Sequence, residues 1–524
     1  MANELLFSSE ARRRIAEGIR ILNDAVKITL GPKGRNVIIE QAYGAPMVIN
    51  DGVTIAKSIN LKDKYADLGA KVIIEAASKT NDVAGDGTTT AVILASSLIL
   101  EGLKYLDKGV NPVDLKDGFN YYLKDIVERI QQRSIEIHSN ADIEQVATLS
   151  SASKEVGEII AKAYSEVGPL GEVRVDESRG VETVLDVVKG YSYDRGFASS
   201  YMASESKNVA ELDNADVLVT DKKINSMKEI LPFLENAVNT GNPLLIVCDD
   251  IEQEVLNSIV LNKLRGTFNV VVTKAPSFGD RKIELLKDIS LITNAQFVST
   301  TRGDELSSST VDVLGKCAKA IIDSNKTIIL DGSADNETIA NYVEALKDKL
   351  NNEESTYEKD KIKERIAKLQ GGVALIKVGA PTEVELKDKK LRIEDALCST
   401  KAAMVSGTIE GAGKVLYEIA HEIKLNEEYK DAYEILVKVL KMPLYQIIEN
   451  SGCKVSDIEP KLSNKLWFNA KSKELCDLRK EGIIDPTSVE VSALTNAVSV
   501  ASIVLTTECA IISSDEGKQE NYEW

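Results

Sequence analysis

The stretch Gly85-Asp86-Gly87-Thr88-Thr89-Thr90 precedes an apolar run at residues 91–105, which we predict to be a helix. The first N–H groups of a helix have no partner inside it, and the helix dipole favours an anion there. The glycines let a phosphate approach the backbone, and the threonines add hydroxyl donors. Asp86 suits such a site only if Mg²⁺ lies between its carboxylate and the phosphate. An ordinary helix cap, in which Asp and Thr are common, is an equally good interpretation of this stretch alone.

Two segments nearer the N-terminus have the residues of a phosphate site. Thr29-Leu30-Gly31-Pro32-Lys33-Gly34-Arg35-Asn36 combines glycines with basic side chains, and Asn50-Asp51-Gly52 is an acidic spot that is also compatible with a plain turn. The closest stretch to a Walker A motif, Gly411-Ala412-Gly413-Lys414-Val415, lacks the spacing and the Ser or Thr. Because a kinase signature is missing as well, any ATP site here is of another type.

The periodicity of apolar residues divides the chain into regions. Residues 1 to about 130 are predicted to be mainly helical, beginning with a helix whose apolar positions are Ala11, Ile15, Ile19, Leu22 and Val26. A strand is predicted at residues 37–39. From about 185 to 375, β-rich runs at 216–220, 244–247 and 269–272 alternate with helices, which indicates an α/β layout. Residues 338–370 are predicted to form a charged helical hairpin, and the C-terminal part returns to long helices.

Composition excludes several classes of protein. The 524 residues exceed a single core, so we expect two to four domains. The net charge of −18 disfavours nucleic acid and anionic membranes as partners, although its main effect is to keep the protein in solution. Six cysteines without a CxxC pair fit a reduced cytosolic protein. His138 and His421, the two histidines, form no HExxH motif, which argues against a zinc enzyme. We expect no secretory signal at the N-terminus, and a buried helix, not a membrane span, at 497–507.

Taken together and in order, these motifs closely resemble the group I chaperonins, over residues from about 7 to 508. The resemblance also rests on Asp51-Gly52-Val53, Lys274-Ala275-Pro276, Phe278-Gly279-Asp280-Arg281, Arg392-Ile393-Glu394-Asp395-Ala396-Leu397 and Asp485-Pro486-Thr487. Group II chaperonins share the Gly-Asp-Gly-Thr-Thr run, but the Pro-Lys-Gly-Arg-Asn-Val stretch and the Lys-Ala-Pro block are similar to group I.

The resemblance implies a multidomain subunit, part α/β and part all-α, in a double-ring oligomer. A mainly helical equatorial ATP-binding domain would combine residues 1–132 and 407–524. A small intermediate hinge domain would combine 133–188 and 374–406, and an α/β apical client-binding domain would be 189–373. Gly190, Gly371-Gly372 and Gly407 stand at the transitions as candidate hinges, with ordinary turns as the alternative. The implied assembly is a cytoplasmic homo-oligomer, a tetradecamer or a single heptamer, that works with unfolded polypeptides and a co-chaperonin ring.

The resemblance also assigns the nucleotide site, residue by residue. It implies that Asp51 and Asp395 orient the attacking water, that Asp86 holds Mg²⁺, and that Thr29, Asn50 and Thr89 contact K⁺. The residues implied to bind ATP are Thr29, Leu30, Gly31, Pro32, Asn50, Asp86, Gly87, Thr88, Thr89, Thr90, Gly411, Ala412, Asn469, Ala470, Lys471 and Asp485. Phosphoryl transfer needs positioning and charge neutralisation more than covalent chemistry, which suits this set.

A helix predicted at residues 254–266 has apolar positions over roughly 240° of its circumference, more than one core-facing stripe needs. Burial on two sides is the interpretation that the residues alone favour. The resemblance implies instead an apolar surface that faces the cavity and binds clients, formed by Phe197, Tyr201, Met202, Leu231, Leu234, Leu256, Val260 and Leu261.

The sequence departs from the family pattern at three places. Asn50 stands where lysine is usual, Ala412 replaces the middle glycine of a Gly-Gly-Gly run, and the C-terminus is Gln519-Glu520-Asn521-Tyr522-Glu523-Trp524 instead of a Gly-Gly-Met tail. Two functions are therefore compared. The first is an ATP-hydrolysing foldase, which the presence of Asp51, Asp86 and Asp395 favours. The second is a holdase or scaffold with slow or absent ATP turnover.

Overall fold

A computed structural model describes residues 3–41, 46–137, 139–151, 153–169, 171–178, 180–204 and 208–513. The α-helices are α1 (Ser8–Val26), α2 (Gly52–Ser58), α3 (Lys64–Ala84), α4 (Thr88–Leu106), α5 (Pro112–Gln132), α6 (Asn140–Ser151), α7 (Lys154–Val167), α8 (Met227–Thr240), α9 (Gln253–Leu264), α10 (Gly279–Thr293), α11 (Asn336–Asn352), α12 (Thr356–Gln370), α13 (Glu383–Ser406), α14 (Lys414–Glu422), α15 (Lys430–Val439), α16 (Met442–Asn450), α17 (Val455–Ile458) and α18 (Thr487–Leu505).

The strands are β1 (Asn3–Phe7), β2 (Val37–Ile39), β3 (Met47–Ile49), β4 (Glu172–Glu177), β5 (Val184–Tyr193), β6 (Ala210–Val219), β7 (Lys223–Ile224), β8 (Leu244–Cys248), β9 (Asp250–Ile251), β10 (Val270–Lys274), β11 (Gly315–Ile322), β12 (Thr327–Gly332), β13 (Gly372–Val378), β14 (Thr408–Glu410), β15 (Trp467–Asn469), β16 (Glu474–Cys476), β17 (Ile484–Pro486) and β18 (Cys509–Ser513). The predicted helix at 91–105 and the strand at 37–39 are confirmed.

The chain forms two compact units. The first contains residues 1–162, 177–183 and 378–524, and the second contains 163–176 and 184–377. The proposed apical segment, 189–373, lies within the second unit. The two units do not separate the intermediate segments from their neighbours, so the three-domain division stays a prediction.

The first unit is built on a helical core. The five apolar positions expected on one face of α1 are buried, because they recur every three to four residues and pack inward together. Helices α4 and α18 pack against each other and are long and apolar enough to cross a membrane, but 61% of each apolar window is buried inside the fold. The prediction of a buried helix near 497–507 is therefore confirmed within α18. Strands β1 and β18 pair antiparallel, from Asn3 opposite Ser513 to Phe7 opposite Cys509.

The second unit is an α/β unit, as predicted. Its described residues form an eight-stranded sheet in the order β10-β8-β6-β11-β12-β5-β13-β4. Strands β10, β8 and β6 run parallel, and β11 pairs antiparallel with both β6 and β12. The predicted charged hairpin is the pair α11 and α12. Arg365 of α12 forms a buried, two-pronged ion pair with Asp288 of α10, at 2.8 Å for each bond, and also donates to Tyr342 of α11.

The structure explains why a glycine stands at position 407. Gly407 ends α13 with φ 74°, and a Cβ there would lie 2.7 Å from the carbonyl oxygen of Ile135, so the turn itself requires glycine.

All six cysteines are free thiols. His421 Nδ1 lies 2.8 Å from the carbonyl oxygen of Tyr417 in its own helix. His138 and the Gln519 to Trp524 tail lie outside the described residues.

Candidate functional site

The segment around Asp86 is a sharp link between two helices. Gly85 follows α3 with φ 68°, and Gly87 precedes α4 with φ 78°, both in the left-handed region that favours glycine. A Cβ would lie 2.2 Å from Cys398 Cβ at Gly85, and 2.5 Å from Val489 Cγ1 at Gly87. In this described segment, no side chain caps the start of α4. The helix-cap interpretation is therefore wrong for this stretch, and the first N–H groups of α4 have no side-chain cap.

The loop after α1 lies beside the same helix start. Thr29 ends a short 3₁₀ turn, and its Oγ1 lies 3.3 Å from Thr89 Oγ1. Gly34 N–H donates to the Gly31 carbonyl at 2.9 Å, which closes the loop. Asn450 was not predicted. Its Nδ2 donates to the carbonyls of both Lys27 and Leu30, at 2.9 Å each, and so supports the loop from behind.

Asp51 serves as the N-cap of α2. Its carboxylate accepts the N–H groups of Val53 at 3.2 Å and Thr54 at 2.8 Å. A Cβ on Gly52 would lie 2.5 Å from Thr89 Oγ1, so this turn packs directly against the start of α4. The plain-turn interpretation is thus incomplete, because this turn also brings Asp51 next to the start of α4, where the sequence predicts a phosphate site.

Two carboxylates from other parts of the sequence, Asp395 and Asp485, interact electrostatically with Asp86. Burial, with the nearby charges of Asp86 and Asp51, raises the pKa of Asp395 on α13 to about 8. Burial and the charge of Asp86 likewise raise the pKa of Asp485 on β17 to about 7. Like charges that converge in a buried site oppose each other's ionisation. A bound cation would relieve this repulsion, and the position of Asp86 beside the uncapped start of α4 fits a cation that is shared with a phosphate.

Asp86 also has two neighbours that sequence reasoning missed. Ser399 of α13 donates a hydrogen bond to Asp86 Oδ2, and Ser150 of α6 donates to the same oxygen at 3.4 Å. The two serine hydroxyls lie 3.0 Å apart. Ser399 stands four residues after Asp395, so helical spacing was a usable signal for it. Ser150 had no such signal, because it comes from a separate helix.

The residues expected near the base and ribose form two groups. Ile409 of β14 pairs with Asp485 of β17, and a Cβ on Gly411 would lie 2.8 Å from Asp485 Oδ2. At the end of β15, Asn469 Oδ1 accepts the Lys471 N–H at 2.9 Å. Ala470 in this turn is buried and Lys471 is exposed.

A buried acid next to this site predicts a pH effect on stability. Burial, with the charge of Asp485, raises the pKa of Glu490 on α18 to about 8, from 4.5. The folded chain therefore binds more protons than the unfolded chain between these values, and stability falls as pH rises through this range. Glu490→Gln is expected to lose less stability than the wild type between about pH 6 and about pH 8.5. Thermal melts without nucleotide measure this, and parallel pH slopes for the two proteins would contradict it.

Ala412 carries backbone strain, because its φ of 54° lies in the left-handed region. Glycine relieves about 1–2 kcal/mol there, which exceeds its entropic cost of about 0.4–1 kcal/mol in the unfolded chain. Ala412→Gly is therefore expected to raise the urea midpoint slightly. Ala420→Gly inside α14 is the control, and its midpoint should fall by the equivalent of about 1 kcal/mol. A similar fall in both variants would contradict the strain at Ala412.

The expected client-binding residues divide by exposure. Tyr201, Leu231 and Leu261 are exposed, and Phe197 and Val260 are partly buried. The expectation of exposure is wrong for three residues, since Met202, Leu234 and Leu256 are 1%, 5% and 6% exposed. Their burial has clear partners and faces. Met202 Sδ accepts the Val272 N–H at 3.4 Å, and Leu234 and Leu256 lie on the core-facing sides of α8 and α9.

Both helices therefore have an apolar face in the core and further apolar residues outside it. Leu264 on α9 is 65% exposed and Val238 on α8 is 48% exposed, and neither was expected to belong to the surface. Val238 follows Leu231 by seven residues, so both lie on one side of α8. The wide apolar arc of α9 reflects one buried face, with Val255, Leu256 and Ile259, and one exposed side, with Leu261 and Leu264.

Comparison with known proteins agrees with this architecture. Residues 22–515 match the TCP-1/cpn60 chaperonin family. Chaperonin GroEL of Onion yellows phytoplasma (strain OY-M) and that of Aster yellows witches'-broom phytoplasma (strain AYWB) are each 46% identical, over 100% of this chain and 99% of theirs. The fold is similar to that of chaperonin gp146 from bacteriophage EL, with a TM-score of 0.72, 21% identity, and coverage of 97% of this chain and 99% of that one. The chain therefore belongs to the TCP-1/cpn60 chaperonin family, as a moderately divergent group I chaperonin.

Proposed function

We propose that this chaperonin captures unfolded polypeptides on exposed apolar residues of the second unit and encloses them for folding, driven by ATP in the first. Chaperonins of the GroEL type fold proteins in an ATP-dependent way, and the chain is accordingly an ATPase. One observation carries the assignment of the site. Asp86 and the Asp51 turn lie at a helix start that has glycines before it and no side-chain cap within the described residues, and α13, which carries Asp395, bonds to Asp86 through Ser399.

The proposed nucleotide site uses this geometry directly. A Cβ on Gly52, Gly85 or Gly87 would lie 2.2–2.5 Å from atoms of Thr89, Cys398 or Val489, so the close packing of these turns around the start of α4 requires glycine at each position. Among the described residues, no group of three or more Asp, Glu, His or Cys side chains could hold a metal ion. Asp86 would therefore hold Mg²⁺ together with phosphate oxygens, and Mg²⁺ supplies charge neutralisation. Asp51 and Asp395 would orient the water.

The remaining parts of the site have smaller roles in this proposal. The hydroxyls of Thr29 and Thr89, 3.3 Å apart, are suitable ligands for K⁺, and Asn50 would add its backbone carbonyl. The phosphates would be lined by Leu30, Gly31, Pro32, Thr88 and Thr90. The hydrogen bond that closes the Thr29 loop, from Gly34 N–H to the Gly31 carbonyl, supports this role. The base and ribose would be surrounded by Gly411, Ala412, Asn469, Ala470, Lys471 and Asp485.

The proposal extends to the assembly. The equatorial (1–132, 407–524), intermediate (133–188, 374–406) and apical (189–373) domains would form rings of seven, single or double, in the cytoplasm with a co-chaperonin ring. Each exposed apolar side chain contributes only about 1.5–3 kcal/mol when a client covers it fully. Repetition around a ring converts such weak contacts into retention. The net charge of −18 supports the expectation that nucleic acid and membranes are not partners.

The alternative, a holdase with slow or absent turnover, is favoured only by the departures at Asn50 and Ala412. Recovery of a chemically denatured client enzyme separates the two functions. The foldase is expected to restore client activity with ATP and a co-chaperonin, and to restore much less with a non-hydrolysable ATP analogue. Equal recovery with the analogue would support the holdase instead.

A matched pair of leucines tests the client surface. Leu261→Ser changes a residue that is 48% exposed, so its stability should change by no more than about 0.5 kcal/mol while capture of unfolded protein weakens. Leu234→Ser changes a residue that is 5% exposed, so it should destabilise the fold by about 2–5 kcal/mol. Suppression of client aggregation and thermal melts measure the two effects. Early melting of Leu261→Ser, or normal capture by it, would remove Leu261 from the surface.

A further inference from the structure

The carboxylate of Asp86 is held on one side by two hydroxyl groups. Ser399 Oγ and Ser150 Oγ both donate to Oδ2, and the Gly87 N–H donates to Oδ1 at 2.5 Å. Ser399 is 1% exposed and lies on α13, four residues after Asp395. All of these groups belong to the first unit.

The direction of the Ser399 hydroxyl is unusual for a serine inside a helix. Such hydroxyls often bond back to the carbonyl four residues earlier. The neighbouring Thr400 does so, with its Oγ1 2.6 Å from the Ala396 carbonyl, and Ser151 does so with Ala147 at 2.6 Å. Ser399 bonds to Asp86 instead. Its hydroxyl therefore satisfies a carboxylate on another element and does not serve its own helix.

The count of acceptor positions then limits what Asp86 can bind. An ionised carboxylate has about four lone-pair positions, two on each oxygen. The two serines use those of Oδ2, and Gly87 N–H uses one of those of Oδ1. Among the described residues, the position that has no donor is on Oδ1, the oxygen next to Gly87 at the start of α4.

We propose that Ser399, supported by Ser150, is a positioning residue that holds Asp86 so that Oδ1 alone is free to bind Mg²⁺. The inference rests on the proposed function, because it requires Asp86 to be the metal ligand. The Ser399 hydroxyl would then have a second effect. The hydrogen bond joins the helix that carries Asp395 to the carboxylate that holds the metal, and so fixes the water-orienting group relative to the metal ligand.

The test compares ADP binding with and without Mg²⁺ by calorimetry on the assembled oligomer. Loss of a hydrogen bond that orients a metal ligand typically costs about 10–100-fold in metal affinity. Ser399→Ala is therefore expected to lose about 10-fold of the affinity that Mg²⁺ adds to ADP binding. Metal-free ADP affinity should be unchanged. Ser399→Thr keeps the hydroxyl and should restore the gain.

Thr400→Val is the matched control, because it removes a buried hydroxyl of α13 whose hydrogen bond, within the described part of the chain, goes to Ala396 of the same helix. It should leave the Mg²⁺ gain at the wild-type value even if stability falls. Should Ser399→Ala fail to fold, Ser150→Ala provides the same comparison, with a smaller loss expected from its longer bond. An unchanged Mg²⁺ gain in the folded serine variants would overturn the inference. Absence of any Mg²⁺ gain in the wild type would instead overturn the proposed role of Asp86.

Discussion

Asp395→Ala is expected to bind ATP nearly as well as the wild type and to hydrolyse it about 10²–10⁴-fold more slowly. The two loops proposed to hold the phosphates, at Thr29 and at Gly85 to Thr90, do not include Asp395. ATP binding should therefore survive the loss of Asp395. Asp395 lies close enough to Asp86 and Asp51 for their charges to raise its pKa. Ser399, one turn later on the same helix, bonds to Asp86, so α13 brings Asp395 towards the site where it would orient or deprotonate a water.

Nucleotide-binding titrations and single-turnover hydrolysis separate the two effects of Asp395→Ala. Asp388→Ala is the control, because it removes another acid from α13, one that is paired with Arg392 at 2.9 Å. The control should hydrolyse ATP normally. If Asp395→Ala lost binding in proportion to turnover, the residue would shape the pocket and not act on water.

Asp86→Ala is expected to abolish Mg²⁺-dependent ATP turnover without unfolding the subunit. Its carboxylate bonds to Gly87, Ser399 and Ser150, a set that holds the side chain in place more than it supports the core. Removal of one of several crowded acids also lessens repulsion with Asp395 and Asp485. The melting temperature should therefore stay near or above that of the wild type.

Steady-state hydrolysis and a thermal melt on the same preparation check the Asp86 prediction. Asp67→Ala is a suitable control, since Asp67 is an acid of α3 that pairs with Lys71 at 2.6 Å. Near-normal turnover by Asp86→Ala would remove Asp86 from the site. Early melting with partial turnover would show that its role is structural.

The sequence predicted those parts of the fold that depend on local periodicity. The helix α1, the strand β2, the hairpin of α11 and α12, and the alternation of strands and helices in the second unit follow from the spacing of apolar residues. Exposure could not be predicted in the same way. Helices α8 and α9 are apolar on more than one side, and only packing decides that Leu234 is buried while Leu261 is exposed.

The candidate site shows the same limit. Gly85 and Gly87, with Asp86 between them, were recognisable in the sequence as a loop before a helix. In the structure both glycines have a positive φ, 68° and 78°. Asn450 was not recognisable, because it supports the Thr29 loop from more than 400 positions away in the sequence. Ser150 and Ser399 were missed for a related reason. Their hydroxyls acquire a function only when tertiary structure brings α6 and α13 to Asp86.

The most direct test of an ATP-driven folding function is steady-state ATP hydrolysis by the purified oligomer, with and without an unfolded client protein. We expect hydrolysis that requires Mg²⁺, that changes in rate when the client is added, and that falls to background in Asp86→Ala. Hydrolysis by the wild type no faster than by Asp86→Ala, with or without client, would contradict it.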